Sequence, residues 1–171
     1  GDVYSGDKVA VYEDPEGEAE PLIWHHNGLR NTRAAISWVK DNLQRPKQLL
    51  TTGCSAGGLG SLTNYHPTRR DMEPNRGYMI NDSGPAFSAP TGSDPDTYPS
   101  VLLQSFIRNA WGLDQPNGPL EYLSDGLPLM NLNDLGSLYT ALSAELPNDR
   151  MGHTHFWQDL NYSSYSYERF Y

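Results

Sequence analysis

Apolar and polar positions follow two different periods along the chain, and the changes of period mark out its elements. Residues 8–12 (Lys-Val-Ala-Val-Tyr) have the β-branched and aromatic make-up of a short strand. A second extended piece at 22–24 leads into His25 and His26, and the acidic stretch between the two, with Pro15 and Gly17, reads as a loop. From 29 to 43 the period lengthens: Leu29, Ile36, Val39 and Leu43 recur at helical spacing, Ala35 and Trp38 widen the stripe, and Pro46 closes it. Residues 48–52 predict a strand that ends at Gly53, and a helix follows from beyond Gly57 to about residue 65, ahead of Pro67. Residues 78–81 predict another strand, stopped by the turn-forming cluster Asp82-Ser83-Gly84-Pro85. The Ser-, Pro-, Gly- and Asp-rich stretch 88–99 reads as a surface loop, and helices are expected at 100–111 and, despite Gly136, at 132–146. Residues 151–157 predict a last strand, with Met151, His153, His155 and Trp157 on one face.

Strands that alternate with helices predict an α/β fold: a mostly parallel sheet covered by helices on both faces, with ligands at the carboxyl edge of its strands. The 171 residues are enough for one core, and neither a repeat nor a linker interrupts them, so a single domain over 1–171 is expected. A formal charge of −9, with scattered Lys and Arg, argues against nucleic acid as a partner. No apolar run reaches the roughly 18 residues of a membrane span. Cys54 is the one cysteine, so no internal disulfide forms, and its presence neither demands nor excludes an oxidising compartment. The chain opens on Gly1-Asp2 with no signal peptide, which fits a processed or trimmed protein that starts upstream.

The chemistry concentrates in Gly53-Cys54-Ser55-Ala56-Gly57, a Gly-x-Ser-x-Gly pattern between a predicted strand and a predicted helix. In that setting Ser55 occupies a strained turn, and Gly53 and Gly57 are small because strand and helix backbones pass close to one another. The helix start gives Ser55 a positive dipole end, and the N–H of Ala56 becomes one donor of an oxyanion hole. Cys54 is expected to point away from the turn into the core. The competing reading is an idle serine in a glycine-rich turn; a phosphate loop is disfavoured because no Lys follows the glycines.

Four landmarks in order carry a family resemblance: Gly1-Asp2-Val3-Tyr4; His25-His26-Asn27-Gly28 with Asn31 and Trp38; Gly53-Cys54-Ser55-Ala56-Gly57-Gly58; and Asp82-Ser83-Gly84. The chain resembles the pectin acetylesterase and Notum family, clearly from Gly1 to about Gly84 and loosely beyond. The resemblance implies an α/β-hydrolase-like fold, a Ser-Asp-His triad in that chain order, no metal or organic cofactor, and a secreted enzyme that removes acetyl groups from an extracellular polysaccharide such as pectin. Ser55 matches the nucleophile and Ala56 the oxyanion donor. Asp159, after the last predicted strand, is the expected acid, with Asp82 as the alternative because it ends the first strand after the nucleophile. The family's histidine follows its acid, whereas this chain holds no histidine beyond Asp159. The glycine-rich strand that completes the oxyanion hole belongs before Gly1. The domain is therefore expected to be incomplete at both ends, and to need its remainder or a partner chain.

The internal histidines invite other readings. His25 and His26 are expected to position a local turn, and His66 has no evident partner. His153, His155 and Asp159 invite a metal reading that is disfavoured for want of further ligands. The aromatic cluster Tyr162, Tyr165, Tyr167, Phe170 and Tyr171 suits packing, an interface, or stacking on sugar rings. An acidic protein is poorly suited to a strongly anionic polymer, so the substrate is expected to be an acylated carbohydrate or other ester engaged through neutral or esterified stretches. The rival to an esterase is an esterase-like extracellular binding or structural protein without the chemistry.

Overall fold

The computed structural model describes residues 2–168, without the side chains of Asp2 and Tyr165; Gly1, Phe170 and Tyr171 lie outside the described residues. The two early strands, β1 (Lys8–Tyr12) and β2 (Leu22–His26), pair with each other as an antiparallel hairpin, Val11 opposite Ile23, and do not join the main sheet. The acidic loop between them is organised by Asp14, whose carboxylate accepts the amides of Glu16, Glu18 and Ala19. Those donors hold its acid below the usual carboxylate range.

The main sheet is parallel, in the order β3 (Gln48–Cys54), β4 (Arg76–Asp82), β5 (Arg150–Thr154). α1 (Gly28–Asn42) precedes β3, and α2 (Ala56–Met72) makes the crossover to β4. Between β4 and β5 the chain inserts α3 (Val101–Ala110), α4 (Pro119–Ser124) and α5 (Ser137–Glu145); α6 (Leu160–Ser166) follows β5. At six residues, α4 is too short to show a helical period in the sequence. β5 ends at Thr154, so the expected strand through residue 157 stops early and frees His155 to Trp157 for a loop.

Register divides the sheet into two faces. Thr51, Met79 and Met151 lie side by side on one; Leu50 and Tyr78 lie on the other, followed by Thr52 beside Ile80. The first face is packed: Met79 joins Leu62 and Tyr65 of α2 and Leu138 and Leu142 of α5 in the main core. On the second face Leu50 and Ile80 are exposed among the described residues. Among the described residues, helical cover, expected on both faces, is seen on the face that carries Met79.

α2 is the central helix and runs past the predicted stop. Pro67 lies inside it rather than ending it, at a usual cost of about 3 kcal/mol. Its ring is among the most completely buried in the protein, so packing offsets the lost hydrogen bond. α1 forms where its period predicts, yet its stripe is largely open: Trp38 and Leu43 are exposed, and Gly28 is its one buried residue. A second core gathers Tyr4 with Ile107, Leu113, Leu120 and Leu123, tying the insertion to the start of the chain.

Asp149, just before β5, locks α2 to the sheet. Its carboxylate accepts from Tyr65 Oη at 2.8 Å, Arg69 Nε at 3.0 Å and the Gly77 amide at 3.1 Å. The side chain of Asp149 is only 4% exposed, so loss of the carboxylate strands a partly buried guanidinium and two further donors. Asp149→Ala is expected to lower the unfolding free energy by about 3 kcal/mol and Tyr65→Phe by about 1 kcal/mol, measured by urea denaturation.

Candidate active site

The Gly-x-Ser-x-Gly segment forms the strand-to-helix turn that its sequence predicts. β3 ends at Cys54, α2 begins at Ala56, and Ser55 between them has φ 55° and ψ −121°. This region is nearly reserved for glycine and costs of order 1–3 kcal/mol for another residue. Ser55 is exposed, and its side chain does not cap the helix. Its amide donates to the Asp82 carbonyl at 2.8 Å, which carries the β3–β4 pairing one residue past the strand and fixes the turn. Ala56 opens the first turn of α2, where N–H groups have no partner within the helix.

The close approaches differ from the expected ones. A Cβ on Gly53 would lie 2.2 Å from the Gly57 carbonyl oxygen, as expected for this position, but a Cβ on Gly57 would meet nothing within 4 Å. Gly57 gives way to Gly53 with its backbone, while its own side-chain direction is open. The tight positions missed from sequence are Gly58, whose Cβ would lie 2.4 Å from Asn81 Oδ1, and Gly84, whose Cβ would lie 2.5 Å from the Ser55 carbonyl oxygen. Here the start of α2 presses on the turn after β4.

That turn is built by Asn81, a fully buried polar side chain on the packed face. Its Nδ2 donates to the Gly84 carbonyl at 2.7 Å, and its Oδ1 accepts the Gly84 amide at 3.0 Å. A polar residue at an inward strand position is a signal that could have singled it out. Ser83 also has positive φ, 56°, and its amide donates to the Thr154 carbonyl at 2.7 Å. Strands β3, β4 and β5 are thus laced together beyond their ends.

Asp82 accepts from Thr154 Oγ1 at 2.9 Å and Ser83 Oγ at 3.1 Å. These hydroxyls hold its acid below the usual range. Cys54 does not enter the core. The pairing register sets it beside Asp82 and Thr154 on the open face, where it is exposed. The charge of Asp82 foremost, then desolvation, the hydrogen bond to Asp82 and the charge of Asp159 raise its thiol pKa. Both carboxylates singled out in the sequence therefore act electrostatically on the residue next to Ser55.

Asp159 stands at the start of α6. Its Oδ1 caps the helix by accepting the Tyr162 amide at 2.8 Å, and its Oδ2 faces His155 Nδ1 at 3.9 Å. The His155 ring meets Tyr162 edge-on at 5.7 Å and 88°, meets Phe87 at 6.5 Å and 81°, and stacks on His153 at 5.9 Å. Tyr139 Oη bonds His153 Nδ1 at 3.3 Å; burial first, then His155, push the pKa of His153 down. Among the described residues, no three His, Cys, Asp or Glu side chains gather as a metal site. His26 is buried at the end of β2 with Tyr12 Oη 3.1 Å from its Nε2, whereas His66 is buried in α2 with Nδ1 unpartnered. Beside Asp159 a cleft of about 450 Å³ is lined by Phe87, His155, Trp157, Tyr162 and Tyr167, among others. No helix among the described residues is long and apolar enough to cross a membrane.

No protein-family model, curated protein or solved structure matches the chain.

The glycine contacts predict a graded series. Gly58→Ala and Gly84→Ala are expected to destabilise the protein by about 1–3 kcal/mol through overpacking, whereas Gly57→Ala is neutral or stabilising by up to about 1 kcal/mol, all read from denaturation midpoints. The raised thiol pKa carries a second expectation. At pH 8 Cys54 holds less thiolate than a free cysteine and alkylates more slowly with iodoacetamide, and Asp82→Asn speeds the reaction; mass spectrometry of the Cys54 peptide follows it.

Proposed function

We propose that the protein is a serine carboxylic-ester hydrolase, with Ser55 as nucleophile, that removes acetyl groups from an extracellular polysaccharide. The supporting observation is the backbone of Ser55: a non-glycine residue with φ 55° and ψ −121° on a tight strand-to-helix turn, exposed, beside the first amides of α2. An idle serine gains nothing from that strain, whereas an attacking hydroxyl gains access and an electropositive helix end. Asp159 is the acid. Asp82 accepts hydrogen bonds from Thr154 and Ser83, which suits a clasp between strand ends better than the orientation of a base.

The reaction runs as acyl transfer to water. A histidine takes the proton of Ser55 Oγ as the oxygen bonds to the ester carbonyl carbon. The carbonyl electron pair moves onto oxygen, where the Ala56 N–H holds it. Collapse breaks the bond to the alcohol, which leaves with the proton from histidine. Water then repeats the attack, freeing acetate and restoring Ser55. Asp159 orients the histidine and balances its charge. The resemblance to the pectin acetylesterase family implies a histidine that follows the acid in the chain. His155 faces Asp159 beyond hydrogen-bond range, and its ring is edge-packed by Phe87 and Tyr162 as a wall of the cleft.

With the intact protein, Ser55→Ala is expected to reduce hydrolysis of p-nitrophenyl acetate at least a thousandfold, roughly, and Asp159→Asn by about 10⁴-fold in kcat. Asp82→Asn should cost far less, and His155→Ala should keep most of the turnover. A fluorophosphonate should label the Ser55 peptide; a protein that hydrolyses the ester with Ser55 unlabelled, or with Ser55→Ala unimpaired, refutes the assignment.

A further inference from the structure

We propose that the cleft beside Asp159 binds a neutral pyranose ring of the substrate glycan, stacked on the indole of Trp157. The place of this subsite in a reaction rests on the esterase reading; binding itself does not. Trp157 lines the cleft and is 99% exposed, and it is flanked by Phe156 at 73% and Leu160 at 79%. Scattered exposed apolar residues need no account, but a bare indole at the mouth of a cleft, with apolar neighbours on either side, marks a surface for a ligand. The volume, about 450 Å³, falls within the range of small-molecule sites.

The lining distinguishes between occupants. Aromatic walls meet at steep angles, Phe87 to Tyr162 at 79° and His155 to Tyr162 at 88°, and supply aromatic surface for the C–H groups of a sugar. Interleaved with them are Gln158 and Ser163, which can bond ring hydroxyls. An aliphatic acyl chain would take these groups out of water without partners, which is costly. A uronate ring would bring its carboxylate beside Asp159, in a cleft whose lining holds no Lys or Arg among the described residues and in a chain of formal charge −9. A neutral sugar satisfies both the aromatic and the polar lining. Cleft and candidate acid share the segment that follows β5, so the ring would lie beside Asp159.

The test measures binding by calorimetry in intact Ser55→Ala protein, where turnover does not interfere. Acetylated xylotetraose is expected to bind, Trp157→Ala in the same background to weaken it about tenfold, and Trp38→Ala, which removes an exposed indole elsewhere, to change nothing. Tetragalacturonate should bind more weakly than the neutral oligomer. The proposal is overturned if neither saccharide binds, if Trp157→Ala binds as well as its parent, or if tetragalacturonate binds more tightly. It is also overturned if Trp157→Ala in the active protein selectively impairs p-nitrophenyl octanoate relative to acetate, which would make the cleft an acyl pocket. Failure of wild-type protein to hydrolyse any ester would sink the esterase reading and leave the binding result standing.

Discussion

The hydrogen bond from the Ser55 amide to the Asp82 carbonyl, 2.8 Å long, is the constraint on which the site depends. Left to itself, a serine would relax out of φ 55°, ψ −121°. It is held from both sides: by the β4 terminus through this bond, and by α2, whose Leu59 amide donates to the Ser55 carbonyl at 3.2 Å. The three glycines that meet there each remove an obstruction. Without Gly58 and Gly84 the helix start could not lie against the β4 turn, and without Gly53 the strand could not pass beneath Gly57.

The same lacing explains why the two candidate acids sit in different settings. Asp82 is embedded in the strand-end network, its carbonyl on Ser55 and its carboxylate on Thr154 and Ser83. Asp159 comes from a separate element, and only one of its oxygens is committed to capping α6. In the proposed reaction the acid needs an oxygen open to its histidine, and the second oxygen of Asp159 faces the cleft wall at His155.

Much of this was legible in the sequence because its signals are local. The turn at Ser55 follows from glycine spacing and flanking periods, and α1, β3 and β4 follow from their apolar patterns. What was not legible depends on register or on distant packing. Cys54 looked like a core residue until pairing set it beside Asp82 on the open face. Gly57 looked tight by its place in the motif, but the contact belongs to Gly58, one residue on, through Asn81. Pro67 looked like a terminator, yet burial of its ring keeps the helix running. The stripe of α1 gave the right helix and no information on how little of it is covered.

The geometry at position 55 also sets the fold against the chemistry proposed for it. Glycine would occupy that turn without the backbone penalty that serine bears, so the polypeptide would gain stability by giving up the hydroxyl. A β-branched threonine, which keeps a hydroxyl, crowds the same torsions further. Selection for robustness alone would erase the hydroxyl that the proposed reaction needs, and threonine would not preserve its setting, which makes serine, on that reading, the compromise between an unstrained bend and a reactive one.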